Sequence, residues 1–288
     1  MTPADSKVST CRLAPWGCVR SRALAASCLF ALAAASGSCS ARASRPFCLV
    51  RFNLEGETEV LLNQTLLFEF NREVSAYSVG GLSSAIRIVS TDGHEAQGEY
   101  AVARTTVRFQ PRLASRPDLE DGGLLPGRTY KVVIRGGLAL DATQAVAGGE
   151  RLPQTLSFRF TTVPASATVC YVDPKPEARP LEGERLSLDV VAGEPFNLRF
   201  AKFLDPRTVL AQSVLVRRNE GLREGVPLRV ATVKLHHEAS GSVLTVTTDP
   251  PPESDVKYTM KILDAVRDLG QGSCAAAVTF LGRSRPGK

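Results

Sequence analysis

The chain has 288 residues, of which 43% are hydrophobic and 22% are charged. This is the composition of a folded globular protein, and it excludes a disordered or collagen-like chain. The formal net charge is +6, and four basic residues and one acidic residue before Cys39 account for +3 of it. No block of Lys and Arg interleaved with aromatic residues follows, and Arg217-Arg218 is an isolated pair. We therefore expect no nucleic-acid binding.

The first residues have the pattern of a secretory signal peptide. Residues 23–35 (ALAASCLFALAAA) form an apolar run that Arg20 and Arg22 precede and small residues follow. The run is too short to span a bilayer, which requires about 20 residues. A basic flank, a short apolar stretch and small residues together predict an exported protein from which residues 1–38 are removed.

The residues after the apolar run offer two cleavage sites. Residues 36–39 (SGSC) resemble a bacterial lipobox, although the third residue before the cysteine is usually leucine and here is Ser36. The resemblance implies that Cys39 is lipidated and anchors the protein to a membrane. Ser40 stands where an aspartate commonly retains lipoproteins at the inner membrane, which favours the outer membrane. The alternative is cleavage after Ala43, which would release a soluble protein into the periplasm or to the cell surface.

The remaining cysteines agree with export. Three of the seven cysteines lie in the leader, Cys39 is the predicted lipid acceptor, and Cys48, Cys170 and Cys274 remain. Their spacing is not typical of a zinc site. Because exported proteins reach an oxidising compartment, two of the three can form a disulfide. We expect the pair Cys170–Cys274, with Cys48–Cys170 as the alternative.

From Cys48 onward, short runs of alternating hydrophobic and polar residues are separated by Gly and Pro. Alternation with a period of two is typical of strands with one buried face, and regularly spaced short strands predict an all-β sandwich. The pattern occurs twice in the same order, which indicates an internal duplication. The matched runs are residues 47–50 and 169–172, 66–70 and 196–200, 86–88 and 214–216, 107–109 and 244–246, 130–134 and 258–262, and 156–160 and 276–280.

We therefore predict two tandem β-sandwich domains after the signal peptide, one over residues 44–163 and one over residues 164–283. Each is close to the ~100 residues of a seven-stranded sandwich. Pro164 fixes its own φ angle, so the joint between the domains is expected to be short and stiff. Tyr130 follows a Pro-Gly turn and is placed to close a corner of the sandwich through its hydroxyl group.

Several of these stretches resemble a bacterial Ig-like domain, the type repeated in surface-layer and adhesin-like proteins. The stretches are 66–74 (LLFEFNREV), 107–111 (VRFQP), 125–130 (LPGRTY) and 158–162 (FRFTT) in the first half, and 196–209 (FNLRFAKFLDPRTV) and 266–270 (VRDLG) in the second. The second half departs from the family pattern because no Pro-Gly precedes Tyr258. The resemblance implies immunoglobulin-like β-sandwiches that act as spacers, stalks or binding modules, with no fixed catalytic residues.

Few residues suggest chemistry. The three histidines are His94 in a polar turn and the adjacent pair His236 and His237, which would point to opposite faces of a strand, with one of the two half-buried. No motif of a serine hydrolase, a zinc protease or a nucleotide-binding enzyme occurs. We therefore expect no enzyme and no resident cofactor.

An acidic loop is the best candidate for a metal or interaction site. Asp118, Glu120 and Asp121 could contribute oxygen ligands to Ca²⁺, but the EF-hand register is absent and three acids do not supply six to eight ligands. The simpler interpretation is a solvated loop that keeps an edge strand from pairing with neighbouring molecules. The loop also makes the first half longer than the second, so it is a place where a partner could be recognised.

These observations favour a non-catalytic cell-envelope protein that acts as a structural, spacer or protein-interaction module. Its partner would be another envelope protein or a cell-surface polymer. The alternative is a module that binds carbohydrate or a cell-wall polymer. Such modules usually stack sugars on aromatic side chains, and the only tryptophan, Trp16, lies in the leader, which counts against this alternative.

Overall fold

The computed structural model describes residues 46–79, 85–138, 151–177, 186–187, 190–219, 225–272 and 278–285. The leader, Cys39 and Cys274 lie outside these residues. Nearly all regular structure within them is β-strand, which confirms the predicted all-β sandwich fold. The elements are β1 (Leu49–Phe52), β2 (Leu66–Phe70), α1 (Ala76–Val79), β3 (Ile86–Ser90), β4 (Gly98–Ala103), β5 (Thr106–Pro111), β6 (Thr129–Ile134), β7 (Leu156–Thr161), β8 (Leu186–Ser187), β9 (Val190–Val191), β10 (Phe196–Phe200), two 3-10 turns (Pro206–Thr208 and Ala211–Ser213), β11 (Val214–Asn219), β12 (Val226–Glu238), β13 (Gly241–Asp249), β14 (Lys257–Ile262) and β15 (Val278–Arg285).

The first sandwich consists of two antiparallel sheets with the strand orders β1-β2-β5-β4 and β3-β6-β7. Alternate residues of each strand face inward, as the alternation predicted. In β2, for example, Leu66, Phe68 and Phe70 are buried and the residues between them are partly exposed. Across the two sheets, the rings of Phe52 in β1 and Phe158 in β7 lie with 5.5 Å between their centroids. Burial of this apolar surface, worth about 25 cal/mol per Å², holds the two sheets face to face.

Two segments of the first sandwich pass from one sheet to the other. The segment before β4 pairs with β3 through a bridge between Val89 and Glu95, and the chain then joins the opposite sheet as β4. The segment after β1 runs parallel to the end of β7 through a bridge between Val60 and Thr162. These crossings cover backbone groups that would otherwise form open sheet edges.

Six strands of the second sandwich follow the strand order of the first, whereas β1 has no counterpart and β8 and β9 pair in parallel with β15. Strands β10-β13-β12 correspond to β2-β5-β4, and β11-β14-β15 correspond to β3-β6-β7. Its crossing strand is continuous, because β12 pairs with β11 at its start and with β13 over the rest of its length. The buried core includes Phe196, Tyr258 and Met260. A duplication of the sequence stays a prediction.

A tyrosine closes a corner of each sandwich. The hydroxyl group of Tyr130 accepts a hydrogen bond from the backbone N–H of Leu125 at 2.8 Å, which confirms its predicted role. The hydroxyl group of Tyr258 accepts the equivalent bond from Glu253 at 2.8 Å, although the Pro-Gly turn is missing there. Both rings are buried. In both sandwiches the residue that donates its backbone N–H therefore lies five positions before the tyrosine that accepts it.

One predicted match between the halves is wrong in the fold. Residues 169–172 form no strand of the second sandwich. Instead, Cys170 and Tyr171 belong to the apolar core of the first sandwich. Residues 169–172 (VCYV) are apolar throughout, and such a run has the same pattern whichever sandwich it packs against, so the sequence could not distinguish the two.

The closing strands are also matched two residues out of register. Tyr130 pairs with Phe160 in the first sandwich, whereas Tyr258 pairs with Gly282 in the second, and Phe280 pairs with Met260. A shift of two residues leaves the inward and outward faces of a strand unchanged. Alternation therefore identified the strand but could not fix its register.

Candidate functional site: the joint and groove between the sandwiches

The segment that connects the two sandwiches is fastened to the first one. Cys170 is fully buried, Tyr171 is 2% exposed, and both lie in the first core. The backbone N–H of Leu62 donates to the carbonyl oxygen of Cys170 at 2.8 Å. The buried side chain of Asn63 bonds the backbone of Val172 twice, accepting from its N–H and donating to its carbonyl oxygen, each at 2.7 Å. The chain therefore remains part of the first sandwich up to Val172.

Arg207 of the second sandwich binds the same segment at three backbone carbonyl oxygens. The guanidinium group of Arg207 donates to the carbonyl oxygens of Ala165 at 3.2 Å, Ala167 at 2.7 Å and Thr168 at 3.2 Å. It is oriented by the carboxylate of Asp205, which accepts from its Nε and Nη2 atoms. Asp205 is fully buried, and the hydrogen bond to this carboxylate raises the pKa of Arg207. The guanidinium group is thus a fixed cationic clamp on the connection.

A second charged cluster lies next to this clamp. The ammonium group of Lys202 lies 2.8 Å from Oδ2 of Asp173 on the connection and 3.8 Å from Oδ2 of Asp268 in the second sandwich. It also donates to the carbonyl oxygen of Pro176 at 3.3 Å. The Lys202 side chain is 7% exposed. A buried charge is tolerated only with such partners, so the positions of Asp173 and Lys202 are tied together.

A groove of about 590 Å³ lies between the sandwiches beside the joint, and both contribute to its walls. Clefts between domains are common positions for binding sites. The lining residues are Glu99, Gln110, Arg112, Leu113, Ser115 and Asp121 from the first sandwich and Phe203, His236, His237, Glu238 and Ala239 from the second.

His237 connects the two walls of the groove. Its Nε2 atom lies 2.9 Å from the carbonyl oxygen of Ala114 in the first sandwich. Its Nδ1 atom lies 3.0 Å from the hydroxyl oxygen of Ser242 in its own sandwich. The ring packs against Phe203 with 5.8 Å between centroids. Burial lowers the pKa of His237 below its usual value. His236 is exposed and His237 is partly buried, as the alternation predicted.

The predicted acidic loop presents Ala114 to this histidine. The carboxylate of Asp121 accepts hydrogen bonds from the backbone N–H of Ser115 and Arg116 at 3.1 Å and from the Ser115 hydroxyl at 2.6 Å. Burial tends to raise the pKa of Asp121, but these hydrogen bonds outweigh it and lower the pKa. The Asp121 side chain therefore joins the end of the loop to residues 115 and 116 at its start.

The other two acids of the loop are exposed. Asp118 pairs with Arg116 at 2.5 Å and accepts the backbone N–H of Glu120. No group of three or more His, Cys, Asp or Glu side chains is arranged to hold a metal ion in the part of the chain that the structure describes. Calcium binding by Asp118, Glu120 and Asp121 stays a prediction.

The predicted cysteine pairing involves a residue outside the described ranges, Cys274. Cys170 carries a buried thiol whose sulfur lies 3.5 Å from the carbonyl oxygen of Ala167. Burial raises the pKa of this thiol. Cys48 and Cys170 are not joined to each other. The Cys170–Cys274 disulfide stays a prediction.

The sequence predicted a joint at Pro164 and singled out Cys170, but it did not indicate the side chains that fasten the joint. Asn63, Lys202 and Arg207 bond to chain segments that lie far away in the sequence, for example 109 residues away in the bond between Asn63 and Val172. The one local signal was Asp205-Pro206-Arg207, where an acid two residues before an arginine can both cap the turn and hold the guanidinium group.

Comparisons with known proteins identify solved structures of low similarity and no family. No family model matches the chain, and no curated protein matches it. Among solved structures, native alpha-2-macroglobulin from Escherichia coli spanning domains MG0-NIE-MG1 matches at 12% identity and a TM-score of 0.40, covering 82% of this chain and 71% of that one. The N-terminal part of the bacterial S-layer protein SbsC matches at 10% identity and a TM-score of 0.28, covering 83% of this chain and 44% of that one.

A third similar structure is the LD transpeptidase LdtMt1 in complex with imipenem, at 12% identity and a TM-score of 0.25, covering 82% of this chain and 89% of that one. None of the helices among the described residues has the length and apolar character needed to cross a membrane.

Asp121→Asn should loosen the loop that reaches His237. The amide keeps the size of the side chain but removes the charge that accepts three hydrogen bonds, so we expect a loss of about 1–2 kcal/mol in the free energy of unfolding at pH 7. Because the folded-state pKa of Asp121 is lowered, its contribution is present above about pH 3.9 and disappears as the pH falls through that lowered value. Urea unfolding of Asp118→Asn is the matched control, with an expected change below about 0.5 kcal/mol. Equal losses in the two variants would contradict the assignment.

Proposed function

We propose that this chain is an exported, non-catalytic cell-envelope protein whose two sandwiches form one rigid structural or protein-interaction module. The observation that carries the proposal is the joint. The connecting segment is buried in the first sandwich at Cys170 and Tyr171 and is held by Arg207 of the second. A spacer or a composite binding surface needs a fixed angle between its domains, and this arrangement supports one.

The chemistry of the groove supports a non-catalytic role. Ser242 and His237 lie within hydrogen-bond distance, which is the first requirement for an activated serine. However, Ser242 is 1% exposed, and its oxygen also accepts the backbone N–H of Leu204 at 2.9 Å. The imidazole directs its other nitrogen to Ala114, so neither group is presented to a substrate. The pair is better suited to joining the sandwiches than to catalysis.

Export and anchoring are supported by the leader and by the cysteine pattern. If Cys39 is lipidated, only six residues separate the anchor from Pro46, the first described residue. An extended chain spans at most about 3.6 Å per residue, so the first sandwich would lie close to the membrane. The rigid joint would then determine the direction in which the second sandwich projects.

Arg207→Ala tests the joint. Removing the guanidinium group leaves the buried carboxylate of Asp205 without its cationic partner, so we expect a loss of about 3 kcal/mol in the free energy of unfolding. Hydrogen–deuterium exchange of residues 164–173 should accelerate at the same time. The matched control is Arg229→Ala, which truncates an exposed arginine of β12 and should change neither quantity. Rapid exchange of residues 164–173 in the unaltered protein would refute the proposed rigid module.

Cys39→Ala tests the anchor. We expect metabolic labelling with palmitate in the unaltered protein, no labelling in Cys39→Ala, and retained labelling in the control Cys48→Ala. Lipid acylation requires the cysteine thiol, whereas Cys48 lies at the start of the folded domain. An unlabelled wild-type protein with an N-terminus at Ser44 would reject lipidation and favour the alternative cleavage site.

A further inference from the structure

A buried lysine lies between two carboxylates where the connecting segment meets the second sandwich. The Nζ atom of Lys202 lies 2.8 Å from Oδ2 of Asp173 and 3.8 Å from Oδ2 of Asp268. The side chains of Lys202, Asp173 and Asp268 are 7%, 15% and 5% exposed, respectively. An amine and a carboxyl group that are held in contact and shielded from water are the two reactants of amide formation. The cluster therefore has the composition of a cross-linking site as well as that of an ion pair.

The fold holds these side chains in place before any reaction. A bridge between Leu204 and Asp268 keeps Lys202 and Asp268 on adjacent segments of the second sandwich. Asp173 follows Val172, whose backbone groups are bonded to the first sandwich. Reacting groups that are oriented in this way reach effective concentrations on the order of 10⁵–10⁸ M. Such values offset the competition from water, which prevents free amines and acids from condensing.

Two glycines make room for the carboxylates. A Cβ atom at Gly270 would lie 3.0 Å from Oδ2 of Asp173 and 3.3 Å from Oδ1 of Asp268. A Cβ atom at Gly272 would lie 2.9 Å from Oδ2 of Asp268. The backbone N–H of Gly272 also donates to Oδ1 of Asp268 at 2.9 Å and orients this carboxylate. Both acids therefore pack against the same short stretch of chain, which a larger residue would crowd.

We propose that Lys202 and Asp173 become joined by an isopeptide bond between Nζ and Cγ, and that Asp268 transfers a proton as the bond forms. The bond ties the end of the connecting segment to the second sandwich covalently. This inference goes beyond the proposed rigid module, because noncovalent contacts alone can hold that module together. The reaction occurs once in each molecule and uses no external substrate, so it agrees with a non-catalytic role.

The reaction balances without another reactant. A proton first passes from the ammonium group of Lys202 to Oδ2 of Asp173, which gives an amine and a carboxylic acid. The lone pair of Nζ then attacks Cγ, and the carboxylate of Asp268 takes a second proton from Nζ and delivers it to Oδ2 of Asp173. The bond between Cγ and Oδ2 breaks, and one water molecule leaves. Asp268 ends as a carboxylate, the amide nitrogen keeps one hydrogen, and nothing is oxidised or reduced.

The surrounding hydrogen bonds suit both the reaction and its product. As Nζ attacks, negative charge develops on Oδ1 of Asp173, which accepts the backbone N–H of Lys175 at 2.9 Å. A donor that already points at a developing charge stabilises it. The carbonyl oxygen of Pro176, 3.3 Å from Nζ, can accept the remaining N–H of the amide. A buried neutral amide with these partners also costs less than a buried pair of charges.

The neighbouring pair of Arg207 and Asp205 provides an internal comparison. Its atoms Nη2 and Oδ2 lie 2.6 Å apart, and the Asp205 carboxylate is fully buried. A guanidinium group keeps its proton in proteins, so it has no free lone pair with which to attack a carboxyl group. We therefore expect a covalent bond at Lys202 and an ion pair at Arg207.

Peptide mass spectrometry of the folded full chain, reduced and digested with trypsin after unfolding, tests the bond. Trypsin does not cleave before proline or after an acylated lysine, so Asp173 is expected in the peptide of residues 160–185 and Lys202 in that of residues 200–207. We expect the two peptides to be joined and lighter than their sum by the mass of one water molecule. Recovery of residues 160–185 unlinked, together with cleavage after Lys202, would overturn the proposal.

Two variants test the roles of the side chains. Lys202→Arg keeps the positive charge but cannot form the amide, and Asp268→Asn keeps the size of the side chain but cannot carry the proton. Both should lose the linked peptide. The matched control is Asp264→Asn, which changes an exposed aspartate four residues before Asp268 and should keep the wild-type yield. An equal yield from Asp268→Asn would overturn the proposed proton transfer.

Hydrogen exchange of residues 164–173, measured on the same wild-type sample, separates this proposal from the rigid module. Unlinked peptides together with slow exchange would overturn the isopeptide bond and leave the rigid module in place. Linked peptides together with rapid exchange would support the bond and refute the rigid module.

Discussion

The structure depends on one short segment that two sandwiches share. Residues 164–173 leave the first sandwich, but Cys170 and Tyr171 remain buried in its core. Burying an apolar pair is favourable wherever it occurs, and here it also limits where the second sandwich can begin. Because the Asn63 side chain bonds both backbone groups of Val172, the first sandwich itself holds the connection in place.

The second sandwich contributes Phe203 and Leu269 to the apolar cluster that contains Cys170 and Tyr171, and it also contacts the connecting segment with charged groups. The carboxylate of Asp205 is fully buried, and its bond to Arg207 directs the guanidinium group to the backbone of the connection. Lys202 and Asp173 repeat this arrangement a short distance away. A buried ion pair often contributes less to stability than an apolar contact of the same volume. It does require particular partners in a particular geometry, which suits a joint whose angle must be fixed.

The sequence predicted the strands well and the joint poorly, and the reason is physical. Alternation is a local signal, so the runs around Phe68 and Leu198 identified buried strands directly. The hydroxyl group of Tyr130 bonds a residue only five positions away, and its role could also be anticipated. The same alternation could not assign Tyr171 to a sandwich, since the pattern of a strand does not record which core it packs against.

The candidate site was predicted in part. The loop containing Asp118, Glu120 and Asp121 was singled out because of its charge and length, and the structure gives Asp121 a role in presenting Ala114 to His237. The half-buried member of the histidine pair was anticipated from the strand period. The contact between Ala114 of this loop and His237 joins residues 123 positions apart. No spacing rule within a single sequence predicts a contact of that kind.

The central claim is that the two sandwiches behave as one body at neutral pH. Residual dipolar couplings of backbone amides, measured in one alignment medium at pH 7.5, test it most directly. The account predicts that couplings from both sandwiches fit a single alignment tensor, with the orientation seen in this structure. Two tensors of clearly different magnitude would show that the sandwiches move independently and would contradict the account.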